Sequence, residues 1–390
     1  MKDMERKLLS FAVGLGMIGL AAGATAGPTP YRVRIFSEVE YQGVKYQPNL
    51  GSRLSDGTMI YSNVTPTGTY HIIGKEGAFR KWESFGAPAQ TRPFSLHEDG
   101  HIAFRSNDSR TIGTLGPAGI KTYRSVDQGS QRPFWSVTGL KAGGLLAGTL
   151  DYTVDGASPM SSGFVAKNGQ VTVIRGQTGF PGYQDSIVVT ANDRGQVLGG
   201  WASTGFAAVD AFLYENGSYL EGHQFIPGQT GIGFLPKDIN ERGSILYSGG
   251  ILRATLQNGN RTWSIVELGN TGRTLANAKF NSSELIVGHS TSDTSGTPKK
   301  MHFWSEGQVR PMNDWLVNGQ IDDVSGGISR VYDDGSILAS GDINFAGYSN
   351  TGYDGQTYNG TFLLEPVPEP GTIAALGLGV AAMLRRRRKG

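Results

Sequence analysis

One short pattern recurs along the middle of this chain: a polar turn ending in glycine, followed by three or four apolar or small residues. Its copies read SDGTMIYS, HEDGHIAFRS, KAGGLLAGT, NDRGQVLGGW, NERGSILYSG and YDDGSILASG, with a degenerate copy, FNSSELIVGHS, between the last two. Recurrence every 40 to 52 residues indicates a structural unit that is itself repeated. The glycine position falls at Gly57, Gly100, Gly144, Gly195, Gly243, Ser283 and Gly335.

Each copy except the last is followed by a second element, a strand, a glycine turn and another strand, as in GFVAKNGQVTVI and AFLYENGSYLEG. A unit of about 46 residues therefore contains four short strands. One such sheet cannot bury both of its faces, whereas sheets arranged around an axis can. The repeats predict an all-β fold, a β-propeller with seven four-stranded blades. Six or eight blades are the alternatives, because one copy is degenerate.

The seventh unit lacks an outermost strand after NGTFLLEPV. Near the amino end, Tyr31–Ser37 (YRVRIFS) alternates in character and predicts a strand that completes the last blade and removes an open sheet edge. The 58 glycines among 390 residues suit the many tight turns of such a fold. The chain has no cysteine, so no disulfide contributes to its stability.

The stretch HEDGH, residues 97–101, fits H-E-x-x-H, in which two histidines one helical turn apart bind zinc beside a glutamate base. That motif requires a helix, but Asp99-Gly100 is a turn dipeptide, and the string occupies the same slot as LSDG, NDRG, NERG and YDDG. We predict that His97 and His101 flank a turn between two strands, and we assign no metal ligand. Zinc held by the pair in another geometry stays open, although the sequence offers no third ligand.

The amino end has the features of a targeting segment. A basic start precedes the apolar run LLSFAVGLGMIGLAAG and the small residues ATA. This order predicts a helical signal peptide over residues 1–26, cleaved between Ala26 and Gly27.

The carboxyl end contains a Pro-Glu-Pro triplet, 14 uncharged residues (371–384) and then five cations. The uncharged stretch predicts a short transmembrane helix within the segment 366–390. Because positive charge stays cytoplasmic, this helix would leave the propeller domain, residues 27–365, outside.

This carboxyl-terminal order closely resembles the PEP-CTERM sorting signal of Gram-negative bacteria. The resemblance implies that an exosortase-type membrane protease recognises Pro368, Glu369 and Pro370. It implies export, transient anchoring in the inner membrane, and an association with exopolysaccharide and biofilm at the cell surface or in the extracellular matrix. The retention charges would be Arg385, Arg386, Arg387, Arg388 and Lys389.

The repeats also resemble two families of extracellular tandem repeats. NDRGQVLGGW…AFLYENGSYLEG is similar to the HAF-type repeat, and EDGHIAFRS…GIKTY is similar to the N-x-x-G-x-x-x-A-F repeat, with His97 in place of the asparagine. Neither resemblance implies a known chemistry.

Outside residues 1–26 and 368–390 the chain holds 27 basic and 30 acidic residues, a net charge of −3, so nothing indicates nucleic-acid binding. The acidic pairs Asp322-Asp323 and Asp333-Asp334 suit solvated turns better than acid–base catalysis. Two oxygen-rich stretches, DYTVDG and TGYDGQ, leave calcium binding open. Core packing between blades is expected of Trp82, Trp135, Trp201, Trp263, Trp304 and Trp315.

Taken together, these features predict an exported surface or matrix protein with a non-catalytic binding or structural propeller and no cofactor. Polysaccharide is the expected ligand class. The alternatives are a secreted propeller enzyme that acts on polysaccharide and an adhesion module for protein partners.

Overall fold

The computed structural model describes residues 30–367 apart from 125, 128–129, 132–133, 153–159, 175–184, 203–207, 223–235, 248, 258–259, 269–274, 291–297, 306 and 347–355. Its described strands form seven antiparallel meanders, one for each predicted repeat. First strands of neighbouring blades contact one another around a common axis. The fold is an all-β propeller of seven blades, as the repeats predict.

The first three blades follow a short strand, β1, that belongs to the last blade. The strands are β1 (Tyr31–Ile35); blade 1, β2 (Val39–Tyr41), β3 (Val44–Arg53), β4 (Met59–Thr65), β5 (Gly68–Gly74) and β6 (Arg80–Lys81); blade 2, β7 (Thr91–Leu96), β8 (Ile102–Ser106), β9 (Thr111–Gly116) and β10 (Gly119–Arg124); a separate hairpin, β11 (Val126–Asp127) and β12 (Ser130–Gln131); and blade 3, β13 (Phe134–Lys141), β14 (Leu145–Tyr152), β15 (Met160–Lys167) and β16 (Gln170–Ile174).

The remaining four blades repeat the same antiparallel order. The strands are blade 4, β17 (Asp185–Ala191), β18 (Val197–Ala202), β19 (Ala208–Glu215) and β20 (Ser218–Glu221); blade 5, β21 (Pro236–Ile239), β22 (Ile245–Tyr247), β23 (Gly250–Gln257) and β24 (Asn260–Glu267); blade 6, β25 (Leu275–Phe280), β26 (Ile286–Ser290), β27 (Met301–Ser305) and β28 (Gln308–Pro311); and blade 7, β29 (Gln320–Val331), β30 (Ile337–Asn344), β31 (Thr357–Pro366) and β1.

Two details depart from the prediction of four strands in every unit. Blade 1 carries a fifth strand, because β2 pairs with the start of β3. The hairpin β11–β12 lies between blades 2 and 3 and joins neither sheet. Within the described ranges, three short 3-10 helices occur at Trp82–Phe85, Ala142–Gly144 and Met312–Trp315.

The core is divided into seven apolar clusters, one at each junction between neighbouring blades. Successive side chains of a strand point to opposite faces of its sheet, so one residue of each second strand contacts the preceding blade and the next contacts the following blade. This alternation explains the paired apolar residues after each repeat turn. The pairs are Met59 and Ile60, Ile102 and Ala103, Leu146 and Ala147, Val197 and Leu198, Ile245 and Leu246, Ile286 and Val287, and Ile337 and Leu338.

The ring is closed by β1, which pairs antiparallel with β31 from Tyr31 opposite Pro366 to Ile35 opposite Phe362. The predicted closing strand is therefore confirmed, with burial alternating strictly along YRVRI. The outer edge of β1 is covered by the side chain of Asn318. This side chain accepts a hydrogen bond from the Val33 amide (2.6 Å) and donates one to the Val33 carbonyl (2.9 Å). An edge blunted in this way is protected from pairing with another chain.

Core packing is confirmed for the tryptophans whose side chains are described. Trp82, Trp201 and Trp304 are buried, whereas Trp263 and Trp315 pack half-buried against the clusters. The side chain of Trp135 lies outside the described set, as do the predicted signal helix and the predicted carboxyl-terminal helix. Over the ranges given above, no helix combines the length and the apolar character needed to span a bilayer.

Candidate functional site

The repeat turns join the first strand to the second strand of each blade, or β3 to β4 in blade 1, and all lie at one end of the propeller. In most of them the amide of the glycine donates to the carbonyl three residues earlier, as from Gly195 to Asn192 (3.1 Å). Gly100, Gly195 and Gly335 have φ near +85°, a conformation that favours glycine. Together these turns form the turn belt: residues 54–58, 97–101, 141–144, 192–196, 240–244, 281–285 and 332–336.

The degenerate sixth copy corrects one position of the predicted repeat. Its left-handed residue is Glu284 (φ +62°), whose amide donates to the carbonyl of Asn281 (3.0 Å). Glu284, not Ser283, is therefore the counterpart of the glycines. The error arose because a non-glycine residue occupies a backbone position that the pattern marks only by glycine.

Carboxylates link neighbouring turns of the belt. In four blades the second residue of the turn is acidic. Its carboxylate accepts a hydrogen bond from the backbone amide of the residue at the same position in the preceding turn. Hydrogen bonds to a charged acceptor of this kind are stronger than neutral ones. The pairs are Ser55 to Glu98 (2.5 Å), Ala142 to Asp193 (3.1 Å), Asp193 to Glu241 (2.7 Å) and Ser282 to Asp333 (2.8 Å).

Asparagines make a second set of links from blade 4 to blade 7. Asn192, Asn240 and Asn281 each begin a turn, and each is nearly fully buried. The side-chain oxygen accepts amides of its own turn, and the side-chain nitrogen donates to the backbone of the next blade. These donations run from Asn192 to Asn240 (2.9 Å), from Asn240 to Asn281 (3.1 Å) and from Asn281 to Tyr332 (2.9 Å).

The two remaining junctions are crossed in other ways. Between blades 2 and 3 the Gly143 amide donates to Oδ2 of Asp99 (2.7 Å). Between blades 7 and 1 the Tyr332 hydroxyl donates to the carbonyl of Arg53 (3.3 Å). Every blade junction therefore has a hydrogen bond at the belt in addition to its apolar cluster.

HEDGH is one turn of this belt, so the predicted strand–turn–strand is confirmed. The His97 amide donates to the carbonyl of His101 (3.0 Å), and the two imidazoles share Oδ1 of Asp99 at 2.9 and 2.8 Å. Nε2 of His97 lies 3.1 Å from Oδ1 of Asp193 in blade 4. Among the residues with described positions, no group of three metal-ligating side chains is assembled.

The belt surrounds the mouth of a central cavity of about 310 Å³. Its walls are the ends of the first strands of blades 2 to 7, where they approach the belt. The lining includes both signs of charge: Glu98, Lys141, Asp193, Asp238, Glu241, Lys279, Arg330 and Asp333.

Burial and mutual contacts shift the pKa values of four groups around this mouth. Burial, reinforced by the Asp193 charge, raises the pKa of Glu241. Burial, together with the Arg330 charge, lowers the pKa of Lys141. The hydrogen bond that His97 donates to Asp193 raises the pKa of His97; burial opposes this shift and Asp99 reinforces it. Burial disfavours ionisation of Asp193, but the bonds from His97 and the charge of Lys141 outweigh it and lower its pKa.

The two acidic pairs occupy different places. Asp333 and Asp334 lie in the turn after β29, as expected. The Asp334 carboxylate accepts a hydrogen bond from the Ser336 amide of the same turn (2.8 Å). Asp322 and Asp323 instead lie within β29, because that strand begins at Gln320. The expectation that both pairs are turns is therefore wrong for the first. Asp323 accepts the Lys299 amide (2.7 Å), and neither member of this pair lines the central cavity.

Sequence reasoning identified the turns but not the belt. The partners of each link lie about one repeat apart, and no local pattern states which turns meet. The available signal was the recurrence of asparagine before an acidic or polar residue in NDRG, NERG and NSSE.

A family model for the PEP-CTERM protein-sorting motif matches residues 366–389. The motif predicted from the chain's end is thereby confirmed, and it implies export with a membrane-anchored sorting signal. Its triplet Pro368–Pro370 and the cations 385–389 lie outside the described residues, as do Ala26 and Gly27. The resemblance of the repeats to the HAF-type and N-x-x-G-x-x-x-A-F families is not confirmed and stays a prediction.

No curated protein matches the chain. Among solved structures, a streptogramin B lyase is similar over 86% of this chain and 98% of its own, at 12% identity and a TM-score of 0.41. A virginiamycin B lyase from Staphylococcus aureus is similar over 86% of this chain and 100% of its own, at 11% identity and a TM-score of 0.41. The β-propeller domain of the Trilobed protease from Pyrococcus furiosus is similar over 85% of this chain and 97% of its own, at 10% identity and a TM-score of 0.41. Likenesses of this size do not distinguish a binding module from an enzyme.

Proposed function

We propose that this protein is an exported surface or matrix protein, sorted by an exosortase-type membrane protease, whose propeller binds or organises polysaccharide without catalysis. The sorting motif at residues 366–389 supports the export and processing part. Transient anchoring in the inner membrane of a Gram-negative cell and delivery to the surface or matrix belong to this proposal.

One observation carries the non-catalytic part. Glu98 and Asp333 use both carboxylate oxygens to accept hydrogen bonds from Ser55 and Ser282 of the preceding turns. Asp193 and Glu241 each use one oxygen to accept a backbone amide of the preceding blade. A general acid or base needs an oxygen free to reach a substrate proton. Glu98 and Asp333 meet no such requirement and serve instead to fix the blades, as expected of a rigid module.

Mass spectrometry of the protein isolated from its host tests the sorting part. The mature chain should end near the Pro-Glu-Pro triplet and lack Arg385–Lys389. A Glu369→Ala variant should retain the tail, whereas Glu365→Ala, an acid four residues earlier in β31, should be processed normally. Mature protein that retains the cationic tail would contradict processing.

A combined binding and turnover assay tests the non-catalytic part. The full chain is applied to immobilised polysaccharides, and the same samples are followed for new reducing ends. Saturable binding without product supports the proposal.

A polysaccharide-cleaving enzyme is the second candidate, and the raised pKa of Glu241 beside the ionised Asp193 is the observation that favours it. If reducing ends accumulate, Glu241→Gln should abolish them and Asp322→Asn, remote from the cavity, should not. That outcome would replace the binding role with the enzymatic one.

A further inference from the structure

A second and larger cavity, of about 700 Å³, lies between blades 1 and 2. It is formed by β3, β4 and β5 on one side and by β7 and β8 on the other. Arg92 lies near the start of β7 and Arg105 near the end of β8, so the cavity lies at the end of these strands away from the turn belt. We call it the blade 1–2 groove; its polar lining includes Gln47, Ser62, Asn63, His71, Arg92 and Arg105.

Three cations line this groove: Lys45, which forms an ion pair with Glu38, and two arginines. Arg92 and Arg105 are directly opposite each other in the β7–β8 ladder. Like charges placed opposite each other destabilise a sheet. In the described part of the chain, neither has an ion-pair partner and neither Nε atom has a hydrogen-bond acceptor. Burial, followed by the charge of Arg92, lowers the pKa of Arg105, which agrees with an uncompensated pair.

Two residues that line the same groove, His71 and Asn63, each carry a buried polar atom without a partner. His71 is only 5% exposed; its Nδ1 contacts the Ser62 hydroxyl (2.8 Å), and its Nε2 has no partner. The amide nitrogen of Asn63 donates to the Lys45 carbonyl (2.6 Å), which leaves the buried Asn63 oxygen without a donor. Buried polar atoms in native proteins nearly always have partners, so unpaired ones beside a cavity call for a water or a ligand that fills it.

The combination defines the ligand's chemistry. Paired guanidinium groups match the two oxygens of a carboxylate or similar oxyanion. The Asn63 oxygen requires a donor such as a hydroxyl. Val64, 80% exposed, and the neighbouring Pro93 and Phe94 supply an apolar wall. No acidic residue is among the described residues that line the groove, although Glu83 is near enough to act on the pKa of His71.

We propose that the blade 1–2 groove binds a hydroxylated organic acid of the uronic-acid class, with Arg92 and Arg105 on its carboxylate and with Asn63 and His71 on its hydroxyls. The inference goes beyond the proposed function, because it concerns a site apart from the central cavity and holds whether or not the tail is processed.

Calorimetric titration of the full chain in detergent tests the site with four probes: trigalacturonate, neutral maltotriose, inorganic sulfate and inorganic phosphate. We expect trigalacturonate to bind at least tenfold more tightly than each of the other three. The double variant Arg92→Gln/Arg105→Gln should lose at least tenfold in affinity. The control Arg110→Gln/Arg124→Gln removes the same charge from exposed positions of blade 2 and should bind as the parent does.

Arg92→Lys/Arg105→Lys keeps the charge but removes the planar fork, and it carries the test if the glutamine variant does not fold; its affinity should fall severalfold. Undiminished binding by the arginine variants, or no binding of trigalacturonate, would overturn the site. Phosphate or sulfate binding as tight as that of trigalacturonate would overturn the uronic-acid assignment.

Discussion

At the scale of single residues, His97 shows how one side chain can join distant parts of the ring. It begins the turn of blade 2, yet its imidazole lies between Asp99 of its own turn and Asp193 of blade 4. The chain separates His97 from Asp193 by 96 residues, so this contact requires blades 2, 3 and 4 to be assembled together. The raised pKa of His97 makes the contact strongest when the imidazole is charged.

Replacing His97 with Gln should therefore destabilise the protein in a pH-dependent way. A pKa raised on folding adds stability that is complete below the unfolded value, about 6.5 for histidine, and is lost as the pH rises through the folded value. Hydrogen bonds between charged groups contribute about 1.5–3 kcal/mol, so a loss of that order is expected at acidic pH and a smaller one at alkaline pH.

Thermal denaturation of the parent and of His97→Gln, each at one acidic and one alkaline pH, measures this pH-dependent loss of stability. His302→Gln is the matched control, because its ring contacts the Lys300 carbonyl (3.0 Å) instead of a carboxylate. An equal cost of His97→Gln at both pH values would contradict a charged contact.

At the scale of elements, the turns act as connectors between blades and not only as reversals of the chain. Asn240 is 4% exposed, and its side chain makes three hydrogen bonds: the oxygen accepts the amides of Arg242 (3.1 Å) and Ser244 (3.0 Å), and the nitrogen donates to the Asn281 carbonyl. The first two hold the turn, and the third holds the next blade. The same side chain thus serves local and long-range order.

Asn240→Ala should lower the free energy of unfolding by about 2–4 kcal/mol, because it leaves the buried Ser244 amide, the part-buried Arg242 amide and the buried Asn281 carbonyl unpaired. Asn107→Ala, at an exposed position, should change it by less than about 0.5 kcal/mol. Urea denaturation measures both. A cost for Asn240→Ala no larger than the control's would show that the belt adds nothing to stability.

Sequence reasoning reached the elements but not their connections. The paired apolar residues after each turn predicted strands correctly, because burial of both faces leaves a local mark such as IL in GSILYSG. The partners of Asn240 and Glu241 leave no such mark, since they lie in other repeats. The blade 1–2 groove was likewise not predicted: Arg92 and Arg105 are 13 residues apart, and only the register of β7 and β8 places them opposite each other.

At the scale of the whole molecule, closure depends on β1. Val33 is 5% exposed and packs with residues of blades 6 and 7, while Arg34 beside it faces solvent and pairs with Glu365 at 3.5 Å. The number of blades and the closing strand could be predicted, because both follow from counting strands. The cover over β1 by Asn318 could not, since it comes from the link before β29 and has no repeat counterpart.

Val33→Ala should therefore destabilise the ring by about 1–3 kcal/mol through lost burial and the cavity left behind. Arg34→Ala should cost at most about 1 kcal/mol, as exposed ion pairs do. Hydrogen exchange locates the effect: Val33→Ala should speed exchange in β1 and β31 before other strands. Uniform acceleration in all blades would contradict a local closing contact.

The pairing of β1 with β31 also sets the order in which the molecule can be completed. A chain made from its amino end presents β1 first, and the partner strand, Thr357–Pro366, only after the six other blades. Until then the ring is open, and the faces of blades 1 and 7 that pack together in the finished ring are exposed to solvent. When the last strand arrives, the Val367 amide donates to the Pro30 carbonyl at 2.7 Å, which brings the two ends of the folded body together at one point on the rim. The sorting segment, which begins at residue 366, therefore leaves the folded body at the same place as the closing strand.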